Sequence, residues 1–95
     1  MKISIIAPVL NEYECLNEFT NRVQRTIEKI DFAEIDLIFV DDGSDSEFLE
    51  QLKNKVNERE NVKIISFDKN YGHQMALLAG YKYSENIYDA CVSIS

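Results

Sequence analysis

The chain of 95 residues is sparing in the residues that mark specialised architectures, with two cysteines, three glycines, one proline and one histidine. Cys15 and Cys91 stand far apart, with no CxxC pair and no pair of histidines, which argues against a zinc site. Free thiols, buried in a reducing compartment, are the expectation for both. So little glycine and proline excludes a collagen-like or low-complexity chain, and no internal repeat is visible. Every apolar run falls short of the roughly 18–20 residues needed to span a bilayer. The N-terminus has one lysine and then a short strand-like run without a small-residue cleavage site, so a cytoplasmic chain without a signal peptide is expected. Basic residues are also scarce. Ten Lys and Arg face seventeen Asp and Glu, for a net charge of −7, which disfavours nucleic acid as a partner. A phosphate group remains possible as a ligand, because a local cation, a helix N-terminus or a bridging metal ion outweighs a distant field.

What is present fits one globular domain. The hydrophobic fraction is 45%, and a chain this short buries roughly 60–65% of its unfolded surface. Residues 3–9, ISIIAPV, form a continuous β-branched run that predicts a strand buried on both faces. Asn11 and Glu14 have capping-box spacing, which predicts a helix starting at Asn11 with its apolar stripe on Leu16, Phe19, Val23, Ile27 and Ile30. A second strand is predicted over 35–40, IDLIFV. Ser44 and Glu47 repeat the capping-box spacing before a helix with a stripe of Phe48, Leu49, Leu52 and Val56; its charges over 47–60 read as a solvated face. A third strand is predicted over 62–67 and a helix over 73–83, so apolar at its start that it should be well buried. A fourth strand is predicted over 88–95. The order βαβαβαβ implies right-handed crossovers and an α/β, Rossmann-like parallel sheet, with expected strand order 3-2-1-4.

That topology gathers three polar clusters on the carboxyl rim, where ligands of such sheets bind near the switch in strand direction. They are Pro8-Val9-Leu10-Asn11-Glu12, Asp41-Asp42-Gly43-Ser44 and Asp68-Lys69-Asn70-Tyr71-Gly72-His73. The first strand lacks the GxGxxG turn of dinucleotide-binding proteins, which disfavours NAD. Carboxylates at strand tips suit hydrogen-bond donors instead, such as a ribose diol, the imide of uracil or the N1–H and amino group of guanine. Gly43 would let the backbone approach a flat ligand closely, and Lys69 could offset the charge of a phosphate. Each residue also has a purely structural reading. Asp41 could cap a loop or helix, Asp42 could be a turn residue, and Glu12 would be favoured by the dipole of a first helical turn. His73 could be a satisfied structural histidine, and Tyr71 a packing residue.

Three segments, SIIAPVLNEYECL, IFVDDGSDSE and FDKNYGHQMALLAGYKYS, together resemble the N-terminal half of family 2 glycosyltransferases with the GT-A fold. The Gly72-His73-Gln74 step resembles in particular the polyprenyl-phosphate sugar transferases, the branch of dolichol-phosphate mannose synthase and bactoprenol glucosyltransferase. The resemblance covers nearly the whole chain, so residues 1–95 are expected to be the nucleotide-sugar-binding half of an incomplete GT-A domain. It implies a UDP- or GDP-linked sugar as donor and a polyprenyl phosphate or related acceptor. Matched position by position, Pro8, Val9 and Glu12 would line the nucleoside pocket, Asp42 would meet the base, and Asp41 would order the loop. Lys69, where the family usually has arginine, would lie near the nucleotide, keeping the charge without the planar fork. The resemblance also implies Mg²⁺ or Mn²⁺ held by an Asp-x-Asp motif after the fourth strand. VSIS stands where that motif would begin, so the metal ligands, the catalytic base, the acceptor half and any membrane helices are expected to be missing and the chain inactive alone. A non-catalytic nucleotide-binding or assembly module is the alternative. An open edge on the fourth strand would favour self-association. A phosphorelay receiver also gathers acids at strand tips, but its pair follows the first strand, whereas here the pair follows the second.

Overall fold

The computed structural model describes residues 1–94. Strands β1 (Lys2–Val9), β2 (Glu34–Asp41), β3 (Val62–Ser66) and β4 (Ala90–Ser93) alternate with helices α1 (Leu16–Glu28), α2 (Ser46–Glu58) and α3 (His73–Ser84). All pairings are parallel, in the order β3-β2-β1-β4, which is the Rossmann-like α/β arrangement that the element order implies. The direction of winding reverses between β1 and β4, so the switch point falls at the carboxyl end of β1. No helix among the described residues is long and apolar enough to cross a membrane.

Strand alternation divides the core in two. Ala7, Val9, Leu37, Phe39 and Val62 pack against Leu16 of α1 and Phe48 and Leu52 of α2. Ile6, Ile38 and Val40 face the other way, against Ala76 of α3 and Tyr88. Every residue of β2 from Ile35 to Asp41 is buried, because helices cover both faces of this inner strand.

Several local expectations are corrected. The first helix begins at Leu16, not Asn11; Cys15 is its N-cap and makes no side-chain capping bond. Asn11 instead adopts φ 49, a left-handed conformation that asparagine tolerates better than most residues. Glu12 therefore lies in a loop outside any helical turn, and the helix-dipole account of it falls. The N-cap of α2 is Asp45, whose side chain accepts from the Phe48 N–H at 2.9 Å. Ser44, one residue earlier, accepts from the Asn11 N–H.

The third helix is not well buried. It rests on the sheet along the stripe Ala76, Gly80 and Ser84, so closely that a Cβ on Gly80 would come within 2.4 Å of the Ile6 side chain. Met75 and Leu78 on its outer face are 48% and 58% exposed. Close approach through small residues buries one narrow stripe and leaves the large apolar ones outside. The last strand covers Ala90–Ser93, shorter than 88–95, and Ser95 lies outside the described residues. The third strand stops at Ser66, one residue early. Both cysteines are free, but neither is buried: Cys15 is exposed and Cys91 half-buried.

Candidate nucleotide site

The adjacent acids at the end of β2 face opposite sides, as consecutive residues of an extended chain must. Asp41, 1% exposed, accepts the Ser44 N–H at 3.1 Å through one oxygen and the Ser66 hydroxyl at 2.9 Å through the other. It thereby ties the loop after β2 to the end of β3. Asp42, 5% exposed, turns toward α3. Its Oδ1 accepts the Tyr71 N–H at 2.8 Å and the Gly72 N–H at 3.2 Å, and its Oδ2 lies 3.1 Å from the same Gly72 nitrogen. Gly72 has φ 102, a backbone conformation that glycine alone adopts at little cost, and it lets two successive N–H groups converge on one carboxylate.

Gly43 serves the same join rather than a ligand. At φ 83, a Cβ there would lie 2.3 Å from the Lys69 carbonyl carbon and 2.5 Å from the Asn70 nitrogen. The close approach expected of a flat ligand at Gly43 is thus taken by the loop between β3 and α3. Backbone contact at Gly43 and the Asp42 carboxylate together lock the last two loops of the rim into one body.

Two clefts open beside that body at the end of β1. One, of about 230 Å³, is lined by Pro8, Val9, Leu10, Glu12, Asp42, Asn70, Gly72 and His73. The other, of about 390 Å³, shares Pro8, Val9, Glu12 and His73 and continues over Ala7, Cys15, Leu16, Phe19 and Ile94. Four of the six residues expected at a nucleotide site, Pro8, Val9, Glu12 and Asp42, therefore line one cleft. Asp41 lies beneath it as a loop anchor. Lys69 is exposed on the rim outside both linings, with its ammonium 5.3 Å from the centre of the Tyr71 ring. That ring packs edge-on against Phe67 at 5.6 Å, and a hydrogen bond to Asp68 pushes its hydroxyl pKa up.

Asn70 and Gly72 belong to the cleft although only their neighbourhood was legible in the sequence. Tyr13 and Asp45 were not legible at all. The Tyr13 hydroxyl donates to Asp45, and its ring meets Phe48 edge-on at 5.2 Å. Among the described residues no three His, Cys, Asp or Glu side chains gather to hold the divalent ion expected of the resemblance. The adjacent acids of the rim do not fit one either, since they face opposite sides and their carboxylates do not converge on one ion.

Comparison with known proteins identifies the family. The family model described as glycosyl transferase family 2 matches residues 4–91. The chain belongs to that family. It is 34% identical over 85 residues to the uncharacterized glycosyltransferase YkcC of Bacillus subtilis, covering 90% of this chain and 26% of that protein. It is 33% identical over 85 residues to the undecaprenyl-phosphate 4-deoxy-4-formamido-L-arabinose transferase of Proteus mirabilis, covering 88% of this chain and 26% of the relative. It is also 33% identical over 95 residues to the prophage bactoprenol glucosyl transferase homolog of Escherichia coli, covering 99% of this chain and 30% of that one. The family 2 chain thus spans between a quarter and a third of the length of these relatives. Its four-stranded sheet corresponds to part of a GT-A domain.

Proposed function

We propose that residues 1–95 form the donor-nucleotide-binding portion of a glycosyltransferase that moves a sugar from a UDP- or GDP-sugar to a polyprenyl phosphate or related acceptor. The observation that carries this reading is the single cleft lined by Pro8, Val9, Glu12 and Asp42 at the carboxyl end of β1. Two carboxylates in one cleft favour hydrogen-bond donors over phosphates, so the base and ribose, rather than the diphosphate, belong there. An ionised carboxylate offers about four acceptor sites, and the bonds from Tyr71 and Gly72 leave Asp42 capacity for a base N–H. The polyprenyl-phosphate acceptor is supported by the names of two relatives, and would place the whole protein at the cytoplasmic face of a membrane. A divalent ion would have to be held outside the described residues.

The test is calorimetric titration of the chain with UDP and with GDP. Weak binding of one of them is expected, together with loss of that binding in Asp42→Ala. Binding unaltered by Asp42→Ala would remove the role assigned to that carboxylate, and no binding of either nucleotide at millimolar concentration would remove the reading itself. A non-catalytic assembly module is the second reading, favoured by the large apolar side chains exposed on α3 and β4, among them Leu78 and Val92.

A further inference from the structure

Glu12 is exposed at the mouth of the cleft, in a loop that its own helix does not hold, since the N-cap of α1 makes no side-chain bond. Both of its neighbours are nevertheless anchored, and to the same place. The Asn11 N–H donates to the Ser44 Oγ at 2.9 Å, and the Asn11 side-chain oxygen accepts the Asp45 N–H at 3.0 Å. On the other side of Glu12, the Tyr13 hydroxyl donates to the Asp45 carboxylate, while its ring rests against Phe48. The same carboxylate oxygen accepts the Phe48 N–H and so starts α2. Residues 11 and 13 are thus stapled to residues 44 and 45, and the residue between them is presented to the cleft.

We propose that Asn11 and Tyr13 are positioning residues for Glu12, so that nucleotide affinity depends on two side chains that line neither part of the cleft. This rests on the reading of the cleft as the donor-nucleotide site. The physical basis is entropic. A carboxylate on a free loop must be ordered when a ligand binds, at a cost that falls on affinity, whereas a loop held at both neighbours has already been ordered by folding. The staple also explains the left-handed backbone of Asn11, which turns its N–H and its side chain toward the same strand of the second loop.

The experiment titrates the 95-residue chain with UDP and GDP in two backgrounds, Glu12 and Glu12→Gln, with Asn11→Gly or Tyr13→Phe added to each. Asn11→Gly keeps the left-handed backbone accessible and removes only the amide; Tyr13→Phe keeps the ring and removes only the hydroxyl. Affinity is expected to fall by about fivefold to tenfold for either change when Glu12 is present, and by less than about twofold in Glu12→Gln, the non-additivity of residues that act through one another. An equal loss in both backgrounds, or no loss in either, overturns the proposal. Amide hydrogen exchange is read on the same samples. Faster exchange at Glu12 and Tyr13 in Asn11→Gly supports the staple, and unchanged exchange overturns it. If the parent chain binds neither nucleotide, the donor-site reading falls, and the exchange result alone decides whether the staple holds Glu12. Should Asn11→Gly fail to fold, Tyr13→Phe gives the same comparison.

Discussion

Asp41 and Asp42 differ in what they hold, and therefore in what their loss should do. Asp41 is a loop anchor whose removal leaves the Ser44 N–H and the Ser66 hydroxyl without their partner. A hydrogen bond to a charged group contributes about 1.5–3 kcal/mol. Asp41→Ala is expected to lower unfolding stability by an amount in that range, read from urea denaturation; an unchanged midpoint would contradict the anchor role. The Tyr13–Asp45 pair adds a pH signature. The bond from Tyr13, helped by the Phe48 N–H, holds the Asp45 carboxyl below its ordinary 3.8. The same bond, with burial and the charges of Asp45 and Glu47, pushes the Tyr13 hydroxyl up to about 12. A depressed carboxyl gives stability that is present above its unfolded value and lost as pH falls through the folded one; a raised phenol gives stability that is present below about 10 and lost as pH rises through about 12. The staple is therefore complete between about pH 4 and pH 10. Melting temperatures across pH should show Tyr13→Phe removing a contribution inside that window and changing less outside it. A constant offset at every pH would argue that the pair carries none of the dependence. At this scale the sequence was only partly informative. Paired acids at a strand tip announce a site, but which of them faces the cleft is decided by alternation. The partners of Asn11 lie more than thirty residues away, beyond the reach of any local pattern.

The elements themselves were more legible. Continuous β-branched runs marked the buried inner strands, and spacings of three and four marked α1 and α2 as helices, although the buried stripe of α1 is Leu16, Thr20 and Gln24, its Phe19, Val23 and Ile27 are only half-buried, and Ile30 lies beyond its end. The helix starts were misplaced for a shared reason. Asn11 and Ser44 both look like caps, but each bonds across to the other loop, and tertiary partners outcompeted the local ones. The apolar opening of α3 misled differently, since the closeness of its packing is set by Gly80 rather than by its large residues. Gly80→Ala tests this. Alanine should gain roughly 1 kcal/mol of helix propensity. Its methyl group would meet the branched, fully buried Ile6 at 2.4 Å, and overpacking of that kind typically costs about 1–3 kcal/mol. The balance predicts a lower melting temperature for the variant. A higher melting temperature for Gly80→Ala would show that α3 sits more loosely than described.

Taken as a whole, the sheet is protected unevenly. β2 is enclosed, whereas β4 is an edge strand with no outer neighbour among the described residues, and its Val92 is 51% exposed. A trough of about 530 Å³ lined by Ile5, Phe19, Val23 and Ile94, among others, runs between α1 and that side of the sheet. Unpaired edges beside apolar surface promote association. Light scattering of the 95-residue chain is expected to report species larger than a monomer, reduced by Val92→Lys; a monodisperse monomer with one sharp melt would contradict this. The family and the parallel order were visible in the sequence because three spaced motifs and the alternation of strands with helices encode them together. The joining of two rim loops through Gly43 and Asp42 was not, because it depends on a backbone approach that only the folded chain displays. The central claim is that the base and ribose of a nucleotide enter the cleft between the end of β1 and the start of α3. Its most direct test is a nitrogen-15 amide NMR titration of the chain with UDP and GDP. The account predicts that one nucleotide shifts the amides of Val9, Glu12, Asp42, Gly72 and His73 while leaving the exposed face of α2 unmoved. Shifts confined to other surfaces, or none with either nucleotide, would contradict it.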